Sequence, residues 1–141
     1  MPRLSARWVL PIDSPPIADG AIDIEDGVIV AIGRRSGAVT RDFGDAILMP
    51  GLINAHTHLE YTLLRGFLED APFFEWIRAL VALKGRLTTD EWDVSARLGA
   101  AECLASGITT VGDNADAGVT AAAAAQSGLR GVVFQEVSWR A

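Results

Sequence analysis

The two histidines of this chain, His56 and His58, are separated by a single residue. If residues 52–58 form a strand, positions two apart point to the same face, so both imidazoles project in parallel. Two such rings can bind one divalent metal ion, with Zn–N distances of about 2.0–2.1 Å. The alternative is a pair of polar residues at a strand end, because catalytic zinc takes three protein ligands and a water. Further candidate ligands in the chain are Glu60, Asp113 and Asp116.

The composition is that of a globular domain rather than a disordered chain. Among 141 residues, 50% are hydrophobic and 21% are charged, which allows a buried core. The net charge of -6 is opposite in sign to what phosphate binding requires, so we expect no nucleic-acid partner. A single cysteine, Cys103, excludes an internal disulfide and is typical of reducing compartments. No apolar run approaches the ~20 residues of a membrane span, so we expect a cytoplasmic protein without membrane contact.

The first fifty residues predict a small antiparallel sheet. Residues 7–10 form a candidate first strand, and residues 21–25 alternate apolar and polar side chains, as a strand with one buried face does. Asp26 and Gly27 follow, and this dipeptide favours a two-residue hairpin because both positions tolerate positive φ. Residues 28–32 are then the partner strand.

After Pro50-Gly51 the pattern predicts helices that alternate with strands. A helix begins at Pro72, a second is capped by Thr88 and Glu91, and a third runs over residues 119–126. The apolar face of the second helix is predicted to be Val94, Leu98, Ala101 and Ala105. The order β-α-α-β-α-β predicts parallel strands with helical crossovers. An open dinucleotide-binding sheet is the alternative, but its glycine-rich loop after the first strand is absent, because residues 56–60 read HTHLE there.

Five segments resemble the amidohydrolase superfamily. Residues 49–58, MPGLINAHTH, are similar to the family's first barrel strand, and residues 106–113, SGITTVGD, to its second. Residues 127–130, SGLR, resemble the approach to the third strand. Residues 62–70, TLLRGFLED, with 74–76, FEW, resemble the branch that holds adenosine and S-adenosylhomocysteine-type deaminases, aminodeoxyfutalosine deaminases and triazine chlorohydrolases.

This resemblance implies a fold and a chemistry. The fold is α/β: residues 50–141 form the first three strands of a (β/α)8 TIM-type barrel, and residues 1–49 precede them as a small antiparallel β-sandwich segment. The chemistry is hydrolysis of a non-peptide C–N bond of a small molecule by metal-activated water, as in deamination of an aminated heterocycle. The cofactor is one divalent metal, with zinc preferred and iron or manganese as alternatives.

The resemblance also assigns roles to individual residues. His56 and His58 match the first two metal ligands. Trp76 matches an aromatic that packs against the substrate's ring, the alternative being a helix residue that covers the barrel mouth. Glu60 is a candidate for substrate binding, the alternative being a salt-bridging loop residue. Arg65 is expected to order its loop.

The family's remaining catalytic groups are expected beyond residue 141, and no histidine follows His58. We therefore expect the chain to be truncated and inactive alone, and to form a homo-oligomer or associate with the missing remainder of the barrel. The alternative is a non-catalytic barrel fragment that associates through the open edge of its last strand.

Overall fold

The computed structural model describes residues 1–67 and 69–137, in two compact units that meet between Pro50 and Gly51. This boundary lies one residue after the predicted one. Leu68 of the TLLRGFLED segment lies outside the described residues. Within the described part of the chain, no helix is both long and apolar enough to cross a membrane.

The first unit is a five-stranded sheet. Strands β1 (Arg3–Val9), β2 (Ile17–Glu25) and β3 (Val28–Arg34) are antiparallel, in the order β3-β2-β1. Asp26 and Gly27 join β2 to β3 with φ of 49° and 78°, which confirms the hairpin. Two short strands, β4 (Arg41–Asp42) and β5 (Ile47–Leu48), pair with β1 in parallel. The predicted antiparallel pairing is confirmed for β1, β2 and β3. The parallel strands β4 and β5 were not predicted, because two-residue strands carry no periodicity to detect.

One ion pair ties the first two strands together. The Arg3 guanidinium donates to both oxygens of Asp23 across the β1–β2 ladder, at 2.6 and 2.7 Å. The hydrogen bond from Arg3 lowers the pKa of the Asp23 carboxyl, against the opposite effect of burial. A carboxyl with a depressed folded-state pKa stabilises the fold above its unfolded pKa of about 3.9. That stabilisation is lost as the pH falls through the folded pKa.

We expect Asp23→Asn to lower the urea midpoint at pH 7 and to have a smaller effect at acidic pH, where the stabilisation from the ionised carboxyl is progressively lost. Asp45→Asn is the matched control, because the Arg7–Asp45 pair is solvent-exposed and contributes little. Urea denaturation of the three proteins from pH 7 to pH 3 measures this. An equal Asp23→Asn effect at both ends of that range would contradict the expectation.

The second unit is a three-stranded parallel sheet with helices between its strands. The strands are β6 (Leu52–Thr57), β7 (Ile108–Ala115) and β8 (Arg130–Gln135), in the order β6-β7-β8. A 3₁₀ helix (Leu59–Leu64), α1 (Phe73–Lys84) and α2 (Thr89–Ala105) separate β6 from β7, and α3 (Thr120–Ser127) separates β7 from β8. The predicted order of elements and the mixed α/β class are confirmed. That the two units are a sandwich segment and the beginning of a barrel stays a prediction.

The buried face of α2 differs from the predicted one. The capping box is present, since Thr88 Oγ1 accepts from the Glu91 amide and the Glu91 carboxylate accepts from the Thr88 amide. The predicted apolar face is wrong, however, because Val94 and Leu98 are 64% and 50% exposed. The face that is buried consists of Trp92, Ser95, Ala96, Gly99, Ala100 and Cys103.

Small residues on that face allow α2 to lie close to the 3₁₀ helix. A Cβ at Gly99 would stand 2.6 Å from the Leu59 carbonyl oxygen and 2.6 Å from Thr62 Oγ1. Ser95 links the same elements, because its hydroxyl donates to the Glu60 carbonyl at 2.6 Å and accepts from the Leu63 amide at 2.8 Å. The segment after β6 is thereby fixed against α2.

Candidate metal centre

Two imidazole rings lie at the carboxyl end of β6. His56 is in the strand, and His58 is the first residue after it, where the chain turns into the 3₁₀ helix. The ring centroids are 5.2 Å apart, with the planes at 81°. Two rings that share one tetrahedral zinc ion at Zn–N distances of about 2.0–2.1 Å have centroids about 5 Å apart. The observed separation therefore fits a shared ion.

The nitrogen atoms available to such an ion follow from the hydrogen bonds. His56 Nδ1 lies 3.0 Å from Asn114 Nδ2 on β7. Because an amide can present its oxygen instead by rotating, Asn114 can accept from Nδ1–H and leave Nε2 for the metal. Within residues 1–67 and 69–137, no group of three His, Cys, Asp or Glu side chains could hold a metal ion. Among the described residues, His56 and His58 are thus two candidate ligands without a third.

Tyr61 covers one face of the His58 ring. The two rings are stacked, with centroids 4.6 Å apart and planes at 1°. The 3₁₀ helix explains this contact, because a repeat of three residues per turn brings side chains at i and i+3 into line. The Tyr61 hydroxyl donates to Asp116 Oδ2 at 2.7 Å and accepts from Lys84 Nζ at 2.6 Å, while Lys84 and Asp116 form an ion pair. Burial raises the pKa of Tyr61 to about 12.

Glu60 is fully buried, and its carboxylate binds the segment after β7. It accepts from the Asp116 amide at 2.6 Å, from the Ala117 amide at 3.2 Å and from the Thr120 hydroxyl at 3.3 Å. Burial raises the pKa of the Glu60 carboxyl, and the Ala117 and Thr120 hydrogen bonds act against it. The structure thus brings Glu60 to a loop and the start of α3. Its predicted role in substrate binding stays a prediction.

Asp113 is the other fully buried carboxylate of this unit. Its Oδ1 accepts from the Leu59 amide at 2.8 Å, while Oδ2 has no hydrogen-bond partner among the described residues. Burial raises the pKa of the Asp113 carboxyl, and the bond from Leu59 lowers it. Asp116, the remaining acidic candidate ligand, is held by Tyr61 and Lys84.

The sequence matches the model of the amidohydrolase family over residues 47–138. The chain belongs to the amidohydrolase family. Members of this family bind a divalent metal. In this amidohydrolase chain, the matched region contains both histidines, strands β6, β7 and β8, and helices α1, α2 and α3.

Named relatives and solved structures agree with this assignment. Over 105 residues the chain is 41% identical to a 5-methylthioadenosine/S-adenosylhomocysteine deaminase of Nitratidesulfovibrio vulgaris (strain DP4), covering 69% of this chain and 24% of the relative. The amidohydrolase chain thus spans about a quarter of that relative's length.

Two solved structures are similar over nearly the whole chain. An atrazine chlorohydrolase from Arthrobacter aurescens TC1, complexed with zinc, is 26% identical with a TM-score of 0.82, covering 96% of this chain and 35% of that one. An aminofutalosine deaminase from Helicobacter pylori is 22% identical with a TM-score of 0.76, covering 99% and 37%, and supports the fold alone.

Trp76 and Arg65 are the remaining residues to which the sequence analysis assigned a role. Trp76 is half-buried on α1, where it packs against a cluster of Leu64, Leu80 and Trp92. This contact fits the alternative of a covering helix residue, and contact with a substrate stays a prediction. Arg65 donates to both carboxylate oxygens of Glu102 on α2, at 3.1 and 2.5 Å, as expected of a residue that orders its loop.

Sequence analysis overlooked the residues that surround the two histidines. Tyr61 carried a usable signal, because it lies three residues after His58 at the start of a short helical turn. Lys84 and Asn114 carried none, since they reach the site from α1 and β7, 26 and 56 positions further along the chain.

Proposed function

We propose that the protein containing this chain is a metal-dependent hydrolase that cleaves a non-peptide C–N bond, and that it deaminates an aminated heterocycle. The observation that carries the proposal is the pair His56 and His58, whose ring centroids are 5.2 Å apart at the end of β6, in a chain of the amidohydrolase family. Zinc is the proposed metal. The deaminase name of the relative supports the proposed deamination. The zinc complex of the chlorohydrolase supports the proposed metal.

We also propose that the two units are parts of a larger fold. The parallel order β6-β7-β8 is what the first three strands of a (β/α)8 barrel require, and the first unit would be a segment of a small β-sandwich. Active sites of such barrels lie at the carboxyl ends of the strands, which is where His56 and His58 are found.

Each side chain near this site has a task in the proposed reaction. A bound zinc ion supplies a water whose pKa is lowered towards ~7. His56 and His58 would hold that ion, and Asn114 would accept from His56 Nδ1–H. Tyr61 holds the plane of the His58 ring. Glu60 acts on substrate binding through the loop that it holds, and Trp76 is the proposed aromatic contact of the substrate's ring.

Removal of the metal tests the proposal. We expect the full-length protein to release ammonia from 5-methylthioadenosine or S-adenosylhomocysteine, the compounds in the relatives' name, or from another aminated purine or pyrimidine. Treatment with a chelator should reduce the rate to below about 1% of its starting value, and added zinc should restore it. The 141-residue chain alone should release none. Ammonia release that persists after complete metal removal would falsify the proposal.

A second candidate function rests on the open edge of β8. Among the described residues β8 pairs only with β7, and Val132 and Phe134 on it are 58% and 53% exposed. Such an edge can pair with another chain. A non-catalytic fragment would be an oligomer without metal, whereas the hydrolase binds metal. Mass in solution combined with elemental analysis separates the two.

A further inference from the structure

Three polar side chains from three different elements form a closed hydrogen-bonded group next to His58. Tyr61 belongs to the 3₁₀ helix, Lys84 is the last residue of α1, and Asp116 follows β7. The Tyr61 hydroxyl accepts from Lys84 Nζ at 2.6 Å and donates to Asp116 Oδ2 at 2.7 Å. Lys84 and Asp116 also form an ion pair, so each member contacts both others. We call these three residues the tyrosine clamp.

The tyrosine clamp is largely shielded from water. The side chains of Lys84 and Asp116 are only 21% and 23% exposed, unlike those of the ion pairs on the surface. Burying a charge is costly unless it is paired and hydrogen-bonded, and Lys84 has both kinds of partner within the clamp. The long, flexible lysine side chain is therefore held in one place.

Asp116 provides the clamp with a fixed point. Its amide donates to Glu60 Oε1 at 2.6 Å, and its carbonyl accepts from Gln135 Nε2 at 3.0 Å. Because Glu60 is fully buried, the backbone at Asp116 is tied to the interior of the second unit. The Tyr61 hydroxyl is thus bonded to groups whose own positions are set by the fold.

The ring of Tyr61 faces a candidate metal ligand. It stacks on His58 with centroids 4.6 Å apart and planes at 1°. Stacking alone is a weak contact, and two stacked rings remain able to slide and tilt. Fixing the hydroxyl at the far end of the tyrosine removes that freedom. Metal sites depend on partners that orient the ligand rings in this way.

We propose that Lys84 and Asp116 are positioning residues for the metal centre: they fix the Tyr61 hydroxyl, and the Tyr61 ring then sets the plane in which His58 faces the metal. This inference rests on the proposed metal site. It gives a task to Lys84, to which the sequence assigned none. It also explains why Asp116, a candidate ligand by residue type, bonds to a tyrosine and a lysine.

The substitution Lys84→Met separates this role from a simple effect of charge, because the two predict opposite signs. An ammonium repels a nearby metal cation, so removing it should strengthen zinc binding if only its charge matters. If Lys84 acts through Tyr61, zinc binding should weaken although the repulsion is gone. Arg78→Met is the matched control, because it removes a cation from an exposed position of the same helix.

Zinc affinity of the full-length variants, measured by competition with a chelator, decides between the two. We expect a loss of about 10-fold in Lys84→Met and in Tyr61→Phe, which keeps the ring without the hydroxyl, and no change in Arg78→Met. The variant with both clamp substitutions should bind zinc no more weakly than Tyr61→Phe, because both remove the same anchor. Unchanged or stronger binding in Lys84→Met would overturn the inference, as would additive losses. If Lys84→Met does not fold, an unchanged affinity in Tyr61→Phe overturns it alone.

The ring protons of His58 give a readout that needs no zinc. In NMR spectra of the zinc-free protein, assigned by the signals lost in His58→Gln, the ring current of Tyr61 should shift these protons upfield. Tyr61→Leu has no ring and gives the zero of this shift. At the same pH, the shift should be smaller in Lys84→Met and in Tyr61→Phe than in the wild type. A merely structural role would lower stability and leave the signals in place, which would contradict the clamp.

Failure of the metal site itself gives a different result. If zinc binds equally well to the wild type and to a protein with both His56→Ala and His58→Ala, the proposed function is wrong. The NMR measurement is made without zinc, so it still reports whether the tyrosine clamp orients His58.

Discussion

Alanine at His56 or at His58 is expected to reduce the metal content of the full-length protein to below about a tenth of the wild-type value and kcat/KM by more than about 100-fold. Loss of a residue that only orients a ligand costs about 10- to 100-fold, so loss of the ligand itself should cost more. Elemental analysis and steady-state kinetics of the purified proteins provide the measurement.

The two variants should differ in stability. His56 is exposed, so His56→Ala should change the free energy of unfolding of the metal-free protein by less than about 0.5 kcal/mol. His58→Ala also loses the stacked contact with Tyr61 and should destabilise it further, by about 1 kcal/mol. Gln126→Ala, on the exposed side of α3, is the control for metal content and rate. A full complement of metal in either histidine variant would show that the pair is not a ligand set.

Local signals in the sequence were sufficient for much of the fold. The Asp26-Gly27 turn and the Thr88–Glu91 capping box each depend on residues a few positions apart, and both are present. The alternation of strands and helices after Pro50 also follows from short segments, and the structure has it. Each of these features is decided by chemistry within one turn or one element.

The buried face of α2 could not be predicted from such local signals. The prediction placed the large apolar residues Val94 and Leu98 on the buried face of α2, but both are exposed. Small residues of α2 face the 3₁₀ helix instead, where Gly99 lies against the Leu59 carbonyl. The distance between two elements sets which side chains fit, and that distance is a property of the packed fold. The hydrophobic periodicity of one helix therefore does not predict which of its faces is buried.

In the candidate site, too, local features were predicted from the sequence and long-range contacts were not. The spacing of His56 and His58 lies within one strand end, and it predicted two rings close together, as found. The contacts that hold them join distant positions: Leu59 with Asp113, Tyr61 with Asp116 and Glu60 with Ala117 are each more than 50 residues apart. Such pairs depend on the register of β6 against β7, which the sequence analysis did not assign.

Glu60→Ala is expected to lower the free energy of unfolding by about 3 kcal/mol, because hydrogen bonds to charged groups contribute about 1.5–3 kcal/mol each and do not add fully. The variant leaves the Asp116 and Ala117 amides without their acceptor and opens a cavity at a fully buried position. Glu60→Gln keeps the volume and one acceptor, so about 1–2 kcal/mol is expected. Urea denaturation of the metal-free, full-length protein measures both, and Glu69→Ala, an exposed carboxylate of the same unit, is the control.

The same variants separate a loop-holding role from direct contact with a substrate. If Glu60 acts through the loop, hydrogen exchange at Asp116 and Ala117 should accelerate in Glu60→Gln, and the loss of stability should accompany any loss of kcat/KM. If Glu60 binds substrate directly, KM should rise in Glu60→Gln while exchange and unfolding match those of Glu69→Ala. The contacts favour the first outcome, because both carboxylate oxygens are already bonded to the chain, and a substrate donor would have to displace a backbone amide from a buried acceptor.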